Sequence, residues 1–153
     1  MRSRELCAKL LNNYMVRVMV FGTFDNFHLG HLNYFWQARH FGDELVIIIA
    51  RDANVLRIKG KRSQQNERQR ATKVRSILKV VDWTGKVVLG SLTNKWAVLK
   101  KYRPEVIALG YDQSVNIKEL KKELAAAGLF CKIKRLKAYQ PTKYKSSYYR
   151  GKK

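Results

Sequence analysis

Residues 21–31 read FGTFDNFHLGH, and within them His28 and His31 stand three apart with Gly30 between them. They follow an apolar run and precede a segment with helical spacing, so they sit where a strand turns into a helix. Gly30 lets the backbone come close to a ligand, and His31 falls in the first turn of the helix, whose unpaired amides and dipole favour an anion. Phosphate is the natural guest. Two imidazoles facing one phosphate could donate to its bridging and non-bridging oxygens, stabilising charge that develops during substitution at phosphorus without either acting as a nucleophile. A lone histidine is more often a hydrogen-bonded, partly buried residue, but the pair in this setting favours the phosphate reading. Zinc would need more ligands than His40, on the far side of the helix, can add. Asp25 has two equal readings, a residue of the site or a structural one that fixes the loop through backbone amides.

The elements that must position this pair are written in the periodicity. YMVRVMVFG, 14–22, is a buried strand ending at Gly22. GHLNYFWQARHF, 30–41, puts Leu32, Phe35, Trp36 and Arg39 at helical spacing and is stopped by Gly42. DELVIIIARD, 43–52, is too uniformly apolar for a sheet wet on one face, so a parallel sheet covered on both sides is expected. RIKGKRSQQNERQR, 57–70, carries six lysines and arginines and is predicted to be a glycine-containing loop leading into a helix from about Gln64 to Lys79. A strand at 86–90, a helix at 93–102, a strand at 104–110, a helix at 116–128 and a last strand at 129–136 continue the alternation. The fold class is therefore α/β, a doubly wound, parallel five-stranded sheet. In such sheets ligands bind beyond the carboxyl ends of the strands, where this chain places GTFDNFHLGH, ARD, GYDQ and RLKAYQPTKYKSS. Trp36 and Trp96 are predicted to be core residues from their helical spacing.

Composition sets the outer bounds. A chain of 153 residues with 46% hydrophobic content is one ordinary domain with one core. Thirty-two Lys+Arg against 11 Asp+Glu leave a net charge of +21. Such charge attracts nucleic acid, acidic membranes and phosphorylated small molecules alike, and does not choose among them. Cys7 and Cys131 form no CxxC pair, so neither a zinc site nor a disulfide framework is expected, and a reducing cytoplasm fits. The longest apolar run, LVIIIA, falls far short of a bilayer span, and Glu5 and Lys9 interrupt the first apolar residues, so neither a membrane span nor a signal peptide is expected.

GTFDNFHLGH resembles the GTFDxxHxGH signature of the cytidylyltransferase-like nucleotidyltransferases, which transfer a nucleotide from a nucleoside triphosphate to a phosphate and release pyrophosphate. The resemblance implies a Rossmann-like nucleotidyltransferase fold of the HIGH-superfamily kind. It also implies triphosphate contacts from His28 and His31 and a nucleotide site lined by Thr23 and Phe24. From about residue 17 onward, GDELVIIIARD, LKVVD, VLGSLTNK, LGYDQ, KELKKELAAAG and the paired serines are similar to archaeal FAD synthases, a group that adenylylates FMN to give FAD and pyrophosphate. That resemblance implies phosphate binding by the stretch His28, Leu29, Gly30 and His31, nucleotide contacts from Asp112 and Tyr139, and phosphate contacts from Ser146 and Ser147. By likeness to related transferases, Lys59 and Lys61 around Gly60 would close over the β- and γ-phosphates, with Arg68 and Arg150 as further cations. Asp112 would accept from a ribose hydroxyl or help to hold Mg²⁺. Where the group commonly has a cysteine before its paired serines, this chain reads YQPTKYKSS. On this reading residues 1–14 are an N-terminal extension and 15–153 a single nucleotidyltransferase domain.

The implied reaction is in-line attack by the phosphate of FMN on the α-phosphorus of ATP, with Mg²⁺ bridging triphosphate oxygens. A phosphate nucleophile is already ionised, so no general base is required. One alternative is a CTP-dependent cytidylyltransferase acting on glycerol 3-phosphate or a similar alcohol phosphate. It shares the histidine motif, but GYDQ with Tyr139 and the paired serines resembles the FAD-synthase group more than the RTxGxST segment of the glycerol-phosphate enzymes. The other alternative is a basic nucleic-acid-binding protein on an inactive nucleotidyltransferase fold. Net charge and the tail KYKSSYYRGKK suit it, whereas both histidines, the motif glycines and Asp112 do not. Expected partners are a nucleotide and a phosphorylated acceptor, with non-specific nucleic-acid binding through charge and no membrane. Apolar sheet-edge surface is compatible with a homodimer.

Overall fold

A computed structural model describes residues 14–144 continuously, together with Ser3, Cys7, Leu10 and Leu11. Most of the expected N-terminal extension, and Ser146, Ser147 and Arg150, lie outside the described residues. Five strands, β1 (Arg17–Gly22), β2 (Glu44–Ile49), β3 (Gly85–Leu89), β4 (Val106–Leu109) and β5 (Lys132–Arg135), form one sheet in the order β3-β2-β1-β4-β5. Every pairing is parallel, and β1 runs in register with β2 from Arg17↔Glu44 to Gly22↔Ile49. The α-helices are α1 (Leu29–Arg39), α2 (Asp52–Lys59), α3 (Glu67–Val80), α4 (Trp96–Tyr102) and α5 (Ile117–Ala126).

The pleat explains why the central strands are apolar throughout. Side chains alternate between faces, so a strand covered on both sides needs apolar residues at every position. Val18, Val20, Leu45, Ile47, Ile49, Val106 and Ala108 face one layer, packed by Phe35 and Ala38 of α1 and by Ala71, Val74 and Leu78 of α3. Met19, Val46, Ile48, Ile107 and Leu109 face the other, against Leu99 of α4 and Leu124 of α5. The chain winds outward from β1 in both directions, so the topological switch lies between β1 and β4, and the crevice for a ligand opens at their carboxyl ends.

Two expectations are corrected. The stretch beginning at residue 57 is not a loop from its start, because 52–59 forms α2, with Asp52 in the first turn and Gly60 closing the helix at φ 69. Reading DELVIIIARD as one strand hid it, whereas β2 ends at Ile49 and an acid at a helix start is the visible signal. The following helix begins at Glu67 rather than Gln64, capped by Asn66, whose side chain accepts from the Gln69 amide while Gln69 returns a bond to the Asn66 N–H side. Trp36 is the second correction: it is 50% exposed, because the buried stripe of α1 runs through Phe35 and Ala38 instead. Trp96 packs partly buried on the second layer as expected, and Trp83 on the first.

Arg70 was not anticipated as part of any site, yet it joins the strand ends. Its side chain is fully buried and donates to the carbonyls of Thr23 (2.6 Å), Ala50 (2.8 Å) and Gln65 (3.1 Å) and to the Asp52 carboxylate (2.6 Å). One planar group thereby ties the exits of β1 and β2 to the start of α2 and to the loop before α3. Desolvation pushes the Asp52 carboxyl up, but bonds from Arg70 and the Glu67 amide, the Arg70 charge and the Ser63 hydroxyl together hold it below its ordinary value. Arg70→Met keeps the bulk and removes the donors, leaving buried carbonyls unsatisfied. The expected loss is about 3–5 kcal/mol, read as a lower urea midpoint. A midpoint within error of the wild type would show that the strand ends hold without the guanidinium.

Candidate active site

The loop after β1 is held in a conformation that few residues adopt freely. Phe24 (φ 53) and Asn26 (φ 48) both lie in the left-handed region, on either side of Asp25. Such backbone persists only where surrounding bonds over-determine it. Asp25, 1% exposed, accepts from the amides of Gln64 (2.8 Å) and Gln65 (3.0 Å), and Asn26 is bonded by Gln64 and Gln65 side chains. The structural reading of Asp25 is thus the one observed. The Phe24 ring is 4% exposed and belongs to the core, so this residue faces the crevice with its backbone.

His28 is the N-cap of α1 and His31 its third residue, and each ring caps the other's end of the turn. The Gly30 amide donates to His28 Nδ1 (3.0 Å), and the His28 amide donates to His31 Nδ1 (3.3 Å). A nitrogen that accepts cannot carry the proton, so both neutral rings hold it on Nε2. The rings are stacked, with centroids 3.8 Å apart and 20° between planes. A Cβ at Gly30 would lie 2.8 Å from His28 Cε1 and 3.2 Å from Tyr144 Cβ, so glycine is required for this packing. Burial, then the neighbouring His28 and Lys59 charges, lowers His31 to about 3, and burial lowers His28 against the pull of Asp112. Both rings are therefore neutral Nε2–H donors near pH 7.

Other elements bring their groups to this pair. Lys59, the last residue of α2, donates from Nζ to Thr23 Oγ1 (3.0 Å), which sets a cation beside the motif loop. Lys61 is exposed beyond the Gly60 turn. Arg68 faces a shallow groove outside α3, shared with Gln69, Thr72 and Lys73, and is not gathered with the histidines. Leu29 is half exposed at the head of α1. Asp112 is exposed in the turn after β4. That turn is pinned by Gln113, whose side chain bridges the Phe21 carbonyl (2.6 Å) and the Gly110 amide (3.1 Å). Arg135 clamps it from β5, donating to the carbonyls of Gly110, Gln113 and Val115. Tyr139 stacks on Tyr144 (5.8 Å, 6°), and Tyr144 on His28 (6.2 Å, 20°), so one column of rings runs from Tyr139 to His31.

Sequence reasoning missed Arg70, Arg135 and Tyr144. Arg70 left a signal, an arginine at i−4 and i−8 to Val74 and Leu78 on an otherwise apolar stripe. Arg135 and Tyr144 left none, because each acts on a segment distant in the chain. Among the described residues no group of three or more His, Cys, Asp or Glu side chains could hold a metal ion. Asp25 and Asp52 are engaged by backbone amides, leaving Asp112 as the exposed carboxylate near His28. One carboxylate suits Mg²⁺, which is commonly held by one or two carboxylates and the phosphates of its nucleotide, rather than by a protein cage.

Acid should destabilise the fold through His31. Between pH 6.5 and about 3 the unfolded chain binds this proton and the folded one does not, so stability is complete above that window and falls as pH drops through it. Urea midpoints between about pH 4 and 5.5 should show His31→Gln with a shallower pH slope, by up to about 1.4 kcal/mol per pH unit. An unchanged slope would mean that the ring takes up its proton in the folded state.

The cytidylyltransferase-like family model matches residues 19–152. A curated FAD synthase from Aciduliprofundum boonei is 43% identical over 125 residues, 82% of this chain and 80% of the relative. One from Archaeoglobus profundus is 41% identical over 133 residues, 87% of this chain and 82% of the relative. Among solved structures, a lipopolysaccharide core biosynthesis protein from Thermoplasma volcanium superposes with a TM-score of 0.75 at 37% identity, covering 83% of this chain and all of that one. With the family model matching most of its length and curated FAD synthases more than 40% identical over most of both chains, the chain belongs to the cytidylyltransferase-like family.

Proposed function

We propose that the chain is an FMN adenylyltransferase, transferring AMP from ATP to FMN with release of pyrophosphate. The observation that carries nucleotidyl transfer is the histidine pair at the N-terminus of α1, whose Nδ1 atoms both accept from backbone amides, so that each neutral ring would offer its Nε2–H to phosphate. The sequence likeness to FAD synthases selects flavin and adenine within that chemistry.

The α-phosphoryl group would be attacked in line by the FMN phosphate, already ionised, so no residue must remove a proton. His28 and His31 would donate to triphosphate oxygens, and the amides of the first turn of α1 would add their dipole. Lys59 would lie against the leaving pyrophosphate, with Lys61 joining it across the Gly60 turn. Thr23 would shape the loop that faces the nucleotide. Asp112 would take a ribose hydroxyl or hold Mg²⁺, and the ion, when bound, would neutralise charge on the triphosphate. Tyr139 would flank the nucleotide, and Ser146 and Ser147 would serve phosphate from the tail. Tyr144, stacked between Tyr139 and His28, would fix the plane of the His28 ring.

The test is product identification after incubation with Mg²⁺, ATP or CTP, and FMN or glycerol 3-phosphate. FAD is the expected product; CDP-glycerol without FAD would place the chain with the alcohol-phosphate enzymes. His28→Ala and His31→Ala should each lower kcat by about 10²–10³-fold with an intact circular-dichroism spectrum. Near-full activity in either variant would remove that ring from the phosphate contact.

A further inference from the structure

The outer side of α1, at the end away from the histidines, carries aromatic rings and cations that the active site does not use. Trp36 is 50% exposed and Phe41 38% exposed. The His40 ring packs edge-on against Trp36 at 4.5 Å, and its Nδ1 donates to the Trp36 carbonyl (2.8 Å), which fixes the pair. On one flank the Arg39 guanidinium lies 4.7 Å over the ring of Trp83. On the other the Lys134 ammonium lies 5.7 Å from the ring of Phe41. Lys137 joins this flank, because its backbone is bonded in both directions to the Gln37 side chain. Between Asp25 and Asp43 the chain has no carboxylate, so the strip is not neutralised along α1.

We propose that this strip binds single-stranded nucleic acid, its bases stacking on Trp36 and Phe41 and its phosphates meeting Arg39, Lys134 and Lys137. Flat exposed rings interleaved with cations suit unpaired bases on a phosphate backbone, since every base offers a π-face and every linkage a charge. A chain of net charge +21 adds long-range attraction for the same partner. A second copy of this chain fits poorly, because a self-complementary contact would bring the same cations together. A lipid surface would require the rings to swing out and insert, whereas Trp36 is held against the His40 ring and Trp83 lies under the Arg39 guanidinium. The strip lies at the far end of α1 from the histidine pair, so binding there does not depend on turnover.

The test uses the full chain and a fluorescein-labelled oligouridine of about 20 nucleotides, titrated at several salt concentrations. Trp36→Ala/Phe41→Ala should weaken binding by about 10–100-fold, with little change in the salt slope. Arg39→Gln/Lys134→Gln should instead flatten that slope. Trp36→Phe/Phe41→Tyr, which keeps the rings, should restore affinity, and FAD formation should be unchanged in every variant. Wild-type affinity in the alanine double variant, with native circular dichroism, would overturn the proposal in favour of charge alone. Equal loss of binding to phosphatidylserine vesicles without loss on the oligomer, or a shift from dimer to monomer in sedimentation, would assign the strip to a membrane or to a second copy.

Discussion

A buried guanidinium at the carboxyl end of the sheet is the constraint on which the site depends. Two parallel strands that stop side by side leave carbonyls pointing into the crevice, and these must be satisfied before anything else can be built there. Arg70 satisfies those of Thr23 and Ala50 and spans to Asp52 and Gln65, so the motif loop, α2 and the loop before α3 share one anchor. Glu67 adds a second tie, accepting from the Arg51 side chain and the Asp52 amide. Lys59 reaches Thr23 because α2 is fixed at its start by the same group. A charge is tolerated at full burial because each of its bonds replaces one that water would have made.

The histidine pair follows a related logic. Capping bonds consume the acceptor nitrogens, and burial keeps the rings uncharged, so the protein presents donors without adding net positive charge at the point of reaction. The cations stand farther out, on Lys59 and in the general basicity of the chain, where they attract phosphate before it is bound. On the proposed function, separating attraction from donation would let one site draw in a polyanion and still address individual oxygens.

Much of the fold was legible because its causes are local. Uniformly apolar strands such as LVIII report burial on both faces, and the stripe of Ala71, Val74 and Leu78 reports one helix face. The misreadings arose where local cues compete: no glycine or proline separates β2 from α2 within DELVIIIARD, and Trp36 sits one position off the buried stripe. The histidines, Gly30 and Asp25 could be picked out because they follow β1 directly, at a strand exit where open α/β sheets bind ligands.

By itself the sequence determined which residues alternate, which segments wind and where the unusual ones cluster, since pleat and helix periods are properties of neighbouring residues. It also showed that the unusual residues gather at the strand exits. Only the tertiary structure decided the buried role of Arg70, the clamp of Arg135 on the Asp112 turn and the ring column reaching Tyr144. Each of these rests on a hydrogen bond or ring contact whose geometry exists only once segments far apart in the chain have been brought to the same end of the sheet.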